Sequence, residues 1–136
     1  MRILALAFVT STLAFWPLGS AAAADMQPAK MEHPGEVALS QDRGAWVYKS
    51  FPGQTRLFIS DRDRPGKSSC DAGCASAWPP IVAPTNETRV GDWTTIERED
   101  GVKQWAYKGK PVYTRYHDVT NDLVDGKVGE FRLLKP

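Results

Sequence analysis

The sequence has little net charge, few cysteines and no long helical pattern. Lys and Arg total 17 against 16 Asp and Glu, a formal charge of +1. A near-neutral surface gives no electrostatic reason to expect nucleic acid or an anionic membrane as partner. The only cysteines are Cys70 and Cys74. Their Cys-x3-Cys spacing is neither the Cys-x-x-Cys of dithiol exchange nor the Cys-x-x-Cys-His of covalent haem attachment. No segment sustains apolar residues at helical spacing, which excludes a helical bundle. Ser-His-Asp order, His-Glu-x-x-His and Gly-rich phosphate loops are all absent. The expectation is therefore a protein that is not an enzyme and takes no cofactor.

What is present begins with Met1-Arg2 and an apolar stretch from Ile3 to Phe15, interrupted by Thr10, Ser11 and Thr12. Pro17, Gly19 and Ala21 to Ala24 follow. A charged start, a short apolar run and a small-residue site read as an export signal, residues 1–24, cut after Ala24. The run falls short of the roughly 20 residues a spanning helix needs. No cysteine follows the cut, so a lipid has no attachment point, and no membrane anchor is expected after cleavage. Removing Arg2 with the leader takes the formal charge from +1 to zero. The expected location is periplasmic or secreted. Residues 25–136 suffice for one small core.

Residues 25–35 carry two prolines and no periodicity, and read as a flexible arm. Met26, Met31 and His33 in it are thioether and imidazole groups of the kind that suit copper. This low-specificity pattern makes metal handling an alternative rather than the main reading.

From residue 36 to 136 the pattern is that of a single β-rich domain. Val37-Ala38-Leu39, Ala45 to Lys49 and Arg56 to Ser60 are strand-like, rich in aromatic and branched residues and separated by turns. The grammar returns at Trp93 to Glu97, Lys103 to Lys108 and Pro111 to Arg115, with Gly109-Lys110 as a tight connection. The halves, about 36–63 and 93–118, align through Leu39/Ile96, Gly44/Gly101, Trp46/Trp105, Tyr48/Tyr107, Phe58/Tyr113 and Asp63/Asp118. This is the signature of a repeated supersecondary unit. The fold expected is all-β and mostly antiparallel: two three-stranded meanders, a final strand near Lys127 to Leu134, and one short helix at the cysteines. Trp46 with Tyr48, and Trp105 with Tyr107, fall on one face of their strands. They read first as core, and second as a platform on which a flat ligand could stack.

Between the halves lies the densest chemistry. In an oxidising compartment, Cys70 and Cys74 are expected to pair, since i and i+4 share a helix face. Ser68 or Ser69 would cap a short helix that Trp78-Pro79-Pro80 ends. Thiol redox handling by this pair is a further alternative. Asp61, Asp63 and Asp71 could hold calcium, but Arg62 and Arg64 interleave and a solvated turn is the simpler reading.

The segments Leu57 to Ser68, Cys70-x3-Cys74-x3-Trp78-Pro-Pro, Gly91-Asp-Trp and Gly101 to Tyr113 resemble the bacterial secreted-repeat family. Many of its members are predicted lipoproteins, described by a Tyr-x-aromatic-x-x-Asp motif. Here the motif positions read Phe58-x-Ser60-x-x-Asp63 and Tyr113-x-Arg115-x-x-Asp118, without the middle aromatic. The resemblance implies an exported β-rich module of unestablished activity and carries over no catalytic residue. The reading is a non-enzymatic periplasmic or envelope module that binds an envelope protein or a small ligand.

Overall fold

Turn chemistry sets the strands. The computed structural model describes residues 31–119 and 121–136. Strands β1 (Val37–Asp42) and β2 (Ala45–Ser50) are joined by Arg43-Gly44, both at positive φ (49° and 80°). Lys108-Gly109 (47° and 82°) joins β6 (Lys103–Tyr107) to β7 (Lys110–Tyr113) in the same way. Two-residue turns with positive φ at both positions match the twist of the strands they connect. The second turn lies one residue earlier than the Gly109-Lys110 expected from sequence. The remaining elements are β3 (Phe58–Ser60), α1 (Ala72–Ala77), β4 (Arg89–Val90), β5 (Trp93–Glu97), β8 (Lys127–Val128) and β9 (Phe131–Leu133).

Among the described residues the fold is mostly antiparallel β with one short helix. The β1–β2 hairpin stands as a two-stranded sheet, and the others form a seven-stranded sheet in the order β4-β5-β6-β7-β3-β9-β8. At its centre β3 lies against β7, with Phe58 opposite Tyr113.

The hydrogen bonds around this centre reveal how the halves join. Leu134 N–H donates to Leu57 O (2.8 Å), and Tyr48 N–H donates to Leu134 O (3.1 Å). In the other half Ile81 N–H donates to Val112 O (3.0 Å), and Trp105 N–H donates to Ile81 O (2.8 Å). Asp61 N–H to Glu130 O (2.8 Å) is matched by Tyr116 N–H to Ala77 O (2.9 Å). The segment after the first half, 77–81, thus closes the second half. The segment after the second half, 130–134, closes the first. Each repeat donates its closing strand to the other, and the two exchanged strands meet where Trp78 stacks on Phe131 (centroids 3.8 Å apart, planes 8° apart).

These bonds also correct the alignment of the halves. Tyr48, not Trp46, is the counterpart of Trp105. Leu39 stands opposite Tyr48 as Thr95 stands opposite Trp105, so Ile96 is not the equivalent of Leu39. Ladder register decides equivalence, and a one-residue slip turns every side chain to the other face. The main core gathers Val37, Tyr48, Leu57, Trp93, Trp105 and Val112, with Ile81 and Leu134 from the exchanged strands. A second cluster holds Phe58, Cys70, Tyr113 and Phe131, covered by Trp78 and Leu123.

The exchange makes the halves mutually dependent. Fragments 31–85 and 86–136 are each expected to lack β-sheet circular dichroism alone and to regain it on mixing. Removing residues 130–136 takes Phe131 and Leu134 out of the core at about 1.5–3 kcal/mol each, and cooperative thermal melting should be lost.

Candidate functional site

The two carboxylates of the repeated motif sit at opposite ends of the β3–β7 pair, and each is gripped by the other half. Asp63 is 3% exposed. Its Oδ1 accepts from the Ser69 N–H and hydroxyl, both at 2.7 Å, and its Oδ2 accepts from the Tyr113 hydroxyl at 2.6 Å. Asp118 accepts from Arg56 Nε at 2.7 Å and Nη2 at 2.5 Å, and Nη2 also reaches Val119 O. Phe58, in the position equivalent to Tyr113, has no hydroxyl to offer. Arg56, two residues earlier with its guanidinium 5.9 Å from the Phe58 ring centre, supplies the donors instead.

Behind Asp63 the polar groups form a closed chain. Ser68 Oγ lies 2.6 Å from the Tyr113 hydroxyl. The Tyr113 proton is committed to Asp63, so Ser68 is the donor here. Its oxygen accepts from Arg98 Nη1 and the Cys70 N–H, both at 3.1 Å. Arg98 also donates to Gln104 Oε1 (2.8 Å) and Cys70 O (2.5 Å), and Gln104 Nε2 donates to Val112 O (2.8 Å). Both lone pairs of the Ser68 oxygen are thereby engaged, and a nucleophile needs one free. Burial, followed by the bond to Asp63, pushes the Tyr113 phenol up to about 12.

Cys70 and Cys74 are joined in a disulfide with Cα atoms 5.1 Å apart. Ser68 and Ser69 do not cap the helix, because Tyr113 and Asp63 occupy their hydroxyls. Asp71 is the N-cap, accepting from Cys74 N–H at 2.9 Å. The three aspartates of the calcium reading are thus dispersed. Asp61 pairs with Lys127 (3.2 Å) and Arg132 (2.9 Å), Asp63 faces inward, and Asp71 caps α1.

Of the four aromatic residues offered for stacking, Tyr48, Trp105 and Tyr107 lie in the core, and Trp46 is half-buried. Residues 1–24 and Met26 lie outside the described residues. Met31 sulfur receives the Tyr48 hydroxyl at 3.9 Å, and His33 Nδ1 lies 3.1 Å from Pro34 O. Among the described residues no three His, Cys, Asp or Glu side chains are grouped as a metal site.

The concave surface with chemical character was not foreseen. A groove of about 500 Å³ runs across β3 between the β6–β7 turn and the β8–β9 hairpin. Ile59, Tyr107, Leu133 and Leu134 form its apolar floor, and Lys108, Lys110, Lys127, Arg132 and Lys135 stand around it with Asp125. Asp61 adds a second carboxylate through its pairs with Lys127 and Arg132. Five cations against two carboxylates leave a local surplus of three on a near-neutral chain. Lys110 Nζ donates to Asp63 O at 2.6 Å, tying the groove to the buried chain. The run of cations at 108, 110, 127, 132 and 135 was visible in sequence, but nothing local placed them together. Buried Gln104, directly before the apolar stretch Trp105-Ala106-Tyr107, is a sequence sign of an interior polar network; Arg56 and Arg98 carry none.

A family profile described as a secreted repeat of unknown function matches residues 94–127. That segment is similar to a secreted repeat. It spans β5, β6, β7 and the Asp118 loop, which is most of the second half. No curated protein and no solved structure matches the chain. The first half mirrors the second in its hydrogen bonds, Leu57 and Tyr48 standing where Val112 and Trp105 stand.

Breaking the Asp118 grip should be costly. Asp118→Ala leaves Arg56, 3% exposed, without its two-pronged carboxylate and with only the longer 3.9 Å contact to Asp42 as an ion pair. An expected loss of about 3–5 kcal/mol in urea unfolding should be largely recovered when Arg56 is also replaced by Met. Tyr113 gives a pH signature. An unfolded phenol ionises near 10 and the folded one near 12, so the stability of the protonated form is whole below about 10. It is lost as pH rises through 12. Melting temperature should fall across that window, and less steeply in Tyr113→Phe.

Proposed function

We propose that this chain is an exported, non-enzymatic binding module whose ligand face is the cationic groove between the β6–β7 turn and the β8–β9 hairpin. The observation that carries the reading is the surplus of positive charge gathered around a concave, apolar floor on a chain of almost no net charge. Ligand sites combine an apolar lining with a few charged groups that orient the guest, and about 500 Å³ is within their usual range. The repeated motif supports the reading from the other side. Asp63 and Tyr113 are sealed inside, Asp118 is held by Arg56, and the Ser68 oxygen is fully bonded, so these groups act as scaffold rather than as reactants. The match to a secreted repeat supports export.

The test is retention on a heparin column, a sequence-blind polyanion. The wild-type chain should elute above physiological salt. Lys108→Glu with Lys135→Glu, both exposed positions, should pass through unretained with an unchanged melting temperature. Equal retention of the two proteins would reject the groove as the binding face.

A further inference from the structure

We infer that the guest of this groove is a small anionic amphiphile, a single carboxylate or phosphate group joined to an alkyl or acyl chain. This inference rests on the binding reading above and names its ligand class. A polymer of regularly spaced charges would be met by cations along an open, polar face. Here the cations form a rim and the surface between them is hydrocarbon. Ile59, half-buried, stands opposite Arg132 on the paired strand, and Leu134 and Tyr107 complete the floor beside it. Lys108 leans over the Tyr107 ring with Nζ 4.9 Å from its centre, so the charge stands at the edge of the apolar surface. Lys127 and Arg132 share one carboxylate, Asp61, at 3.2 and 2.9 Å. One acid bonded by two cations leaves donor capacity for a further anionic oxygen, and Arg132 is suited to a carboxylate or phosphate by its planar fork.

The rest of the molecule argues for this face over others. The cleft lined by Asp42, Lys49, Arg56, Arg115 and Asp118 is polar throughout, and its charges are paired internally: Arg56 with Asp118, Lys49 with Asp42, Arg115 with Asp122. The smaller cleft beside Cys74 holds Arg62 with Glu130 and has no comparable apolar floor. Of these three clefts among the described residues, the groove over β3 places hydrocarbon and surplus cations side by side. Headgroup and chain would bind together: the rim supplies attraction and orientation, and the floor supplies an increment for every methylene removed from water.

The experiment is isothermal titration of the full-length protein with butyl, octyl and decyl phosphate, each below its micelle concentration. Affinity should rise with chain length by about two- to fourfold per methylene until the groove is filled. Ile59→Thr, which keeps a branched strand residue, should flatten that rise while heparin retention stays at the wild-type level. Lys108→Glu with Lys135→Glu should weaken every phosphate and heparin together. Decanol should bind far more weakly than decyl phosphate. Equal affinity for butyl and decyl phosphate, or no phosphate binding by a protein that heparin still retains, would overturn the amphiphile and leave the binding reading standing. A protein that binds neither phosphates nor heparin would sink both.

Discussion

The structure depends on two strands that close the wrong half. Residues 77–81 hydrogen-bond to β6 and β7, and residues 130–134 hydrogen-bond to β2 and β3. Without these strands the Leu57 carbonyl and the Tyr48 and Trp105 N–H groups would lose the backbone partners they have here, a cost that native structures avoid almost everywhere. The exchange therefore joins two short repeats, neither of which has a core of its own, into one continuous interior. It also brings Trp78 onto Phe131 and places the disulfide loop against the central β3–β7 pair.

The interlocking explains what the motif carboxylates do. A buried aspartate is tolerable only when its oxygens are bonded. Asp63 and Asp118 reach that state by accepting donors from the opposite half, so each is a clasp across the pseudo-symmetric seam. The two clasps differ in chemistry, a phenol in one and a guanidinium in the other, because Phe58 lacks the oxygen that Tyr113 has. The cations that these clasps do not use remain at the surface. The exchanged C-terminal strand carries Arg132 and Lys135 up to the turn that bears Lys108, and this is how the groove arises.

Much of this was legible in the residues. The β-rich composition, the repeat, the short helix and the pairing of Cys70 with Cys74 all follow from local pattern and spacing. The repeat register in the structure differs by two residues from the string alignment, because Trp-x-Tyr-Lys recurs at 46 and 105 as a string while the ladder matches Tyr48 to Trp105. String identity is a weaker constraint than hydrogen-bond geometry when turns differ in length. Likewise Ser68 and Ser69 looked like helix caps until Asp63 and Tyr113, neither within four residues of them in the chain, were seen to hold their hydroxyls.

Read alone, then, the residues settle what depends on neighbours a few positions away: strand alternation, the Arg43-Gly44 turn, the end of α1 before Pro79, and the reach of a five-residue disulfide loop. Tertiary structure decides which strand closes which half, which aromatic rings are sealed, and where the lysines converge. Those outcomes turn on pairings between residues more than twenty positions apart. Their choice depends on how all apolar faces can be covered at once, a condition that no local stretch of chain expresses.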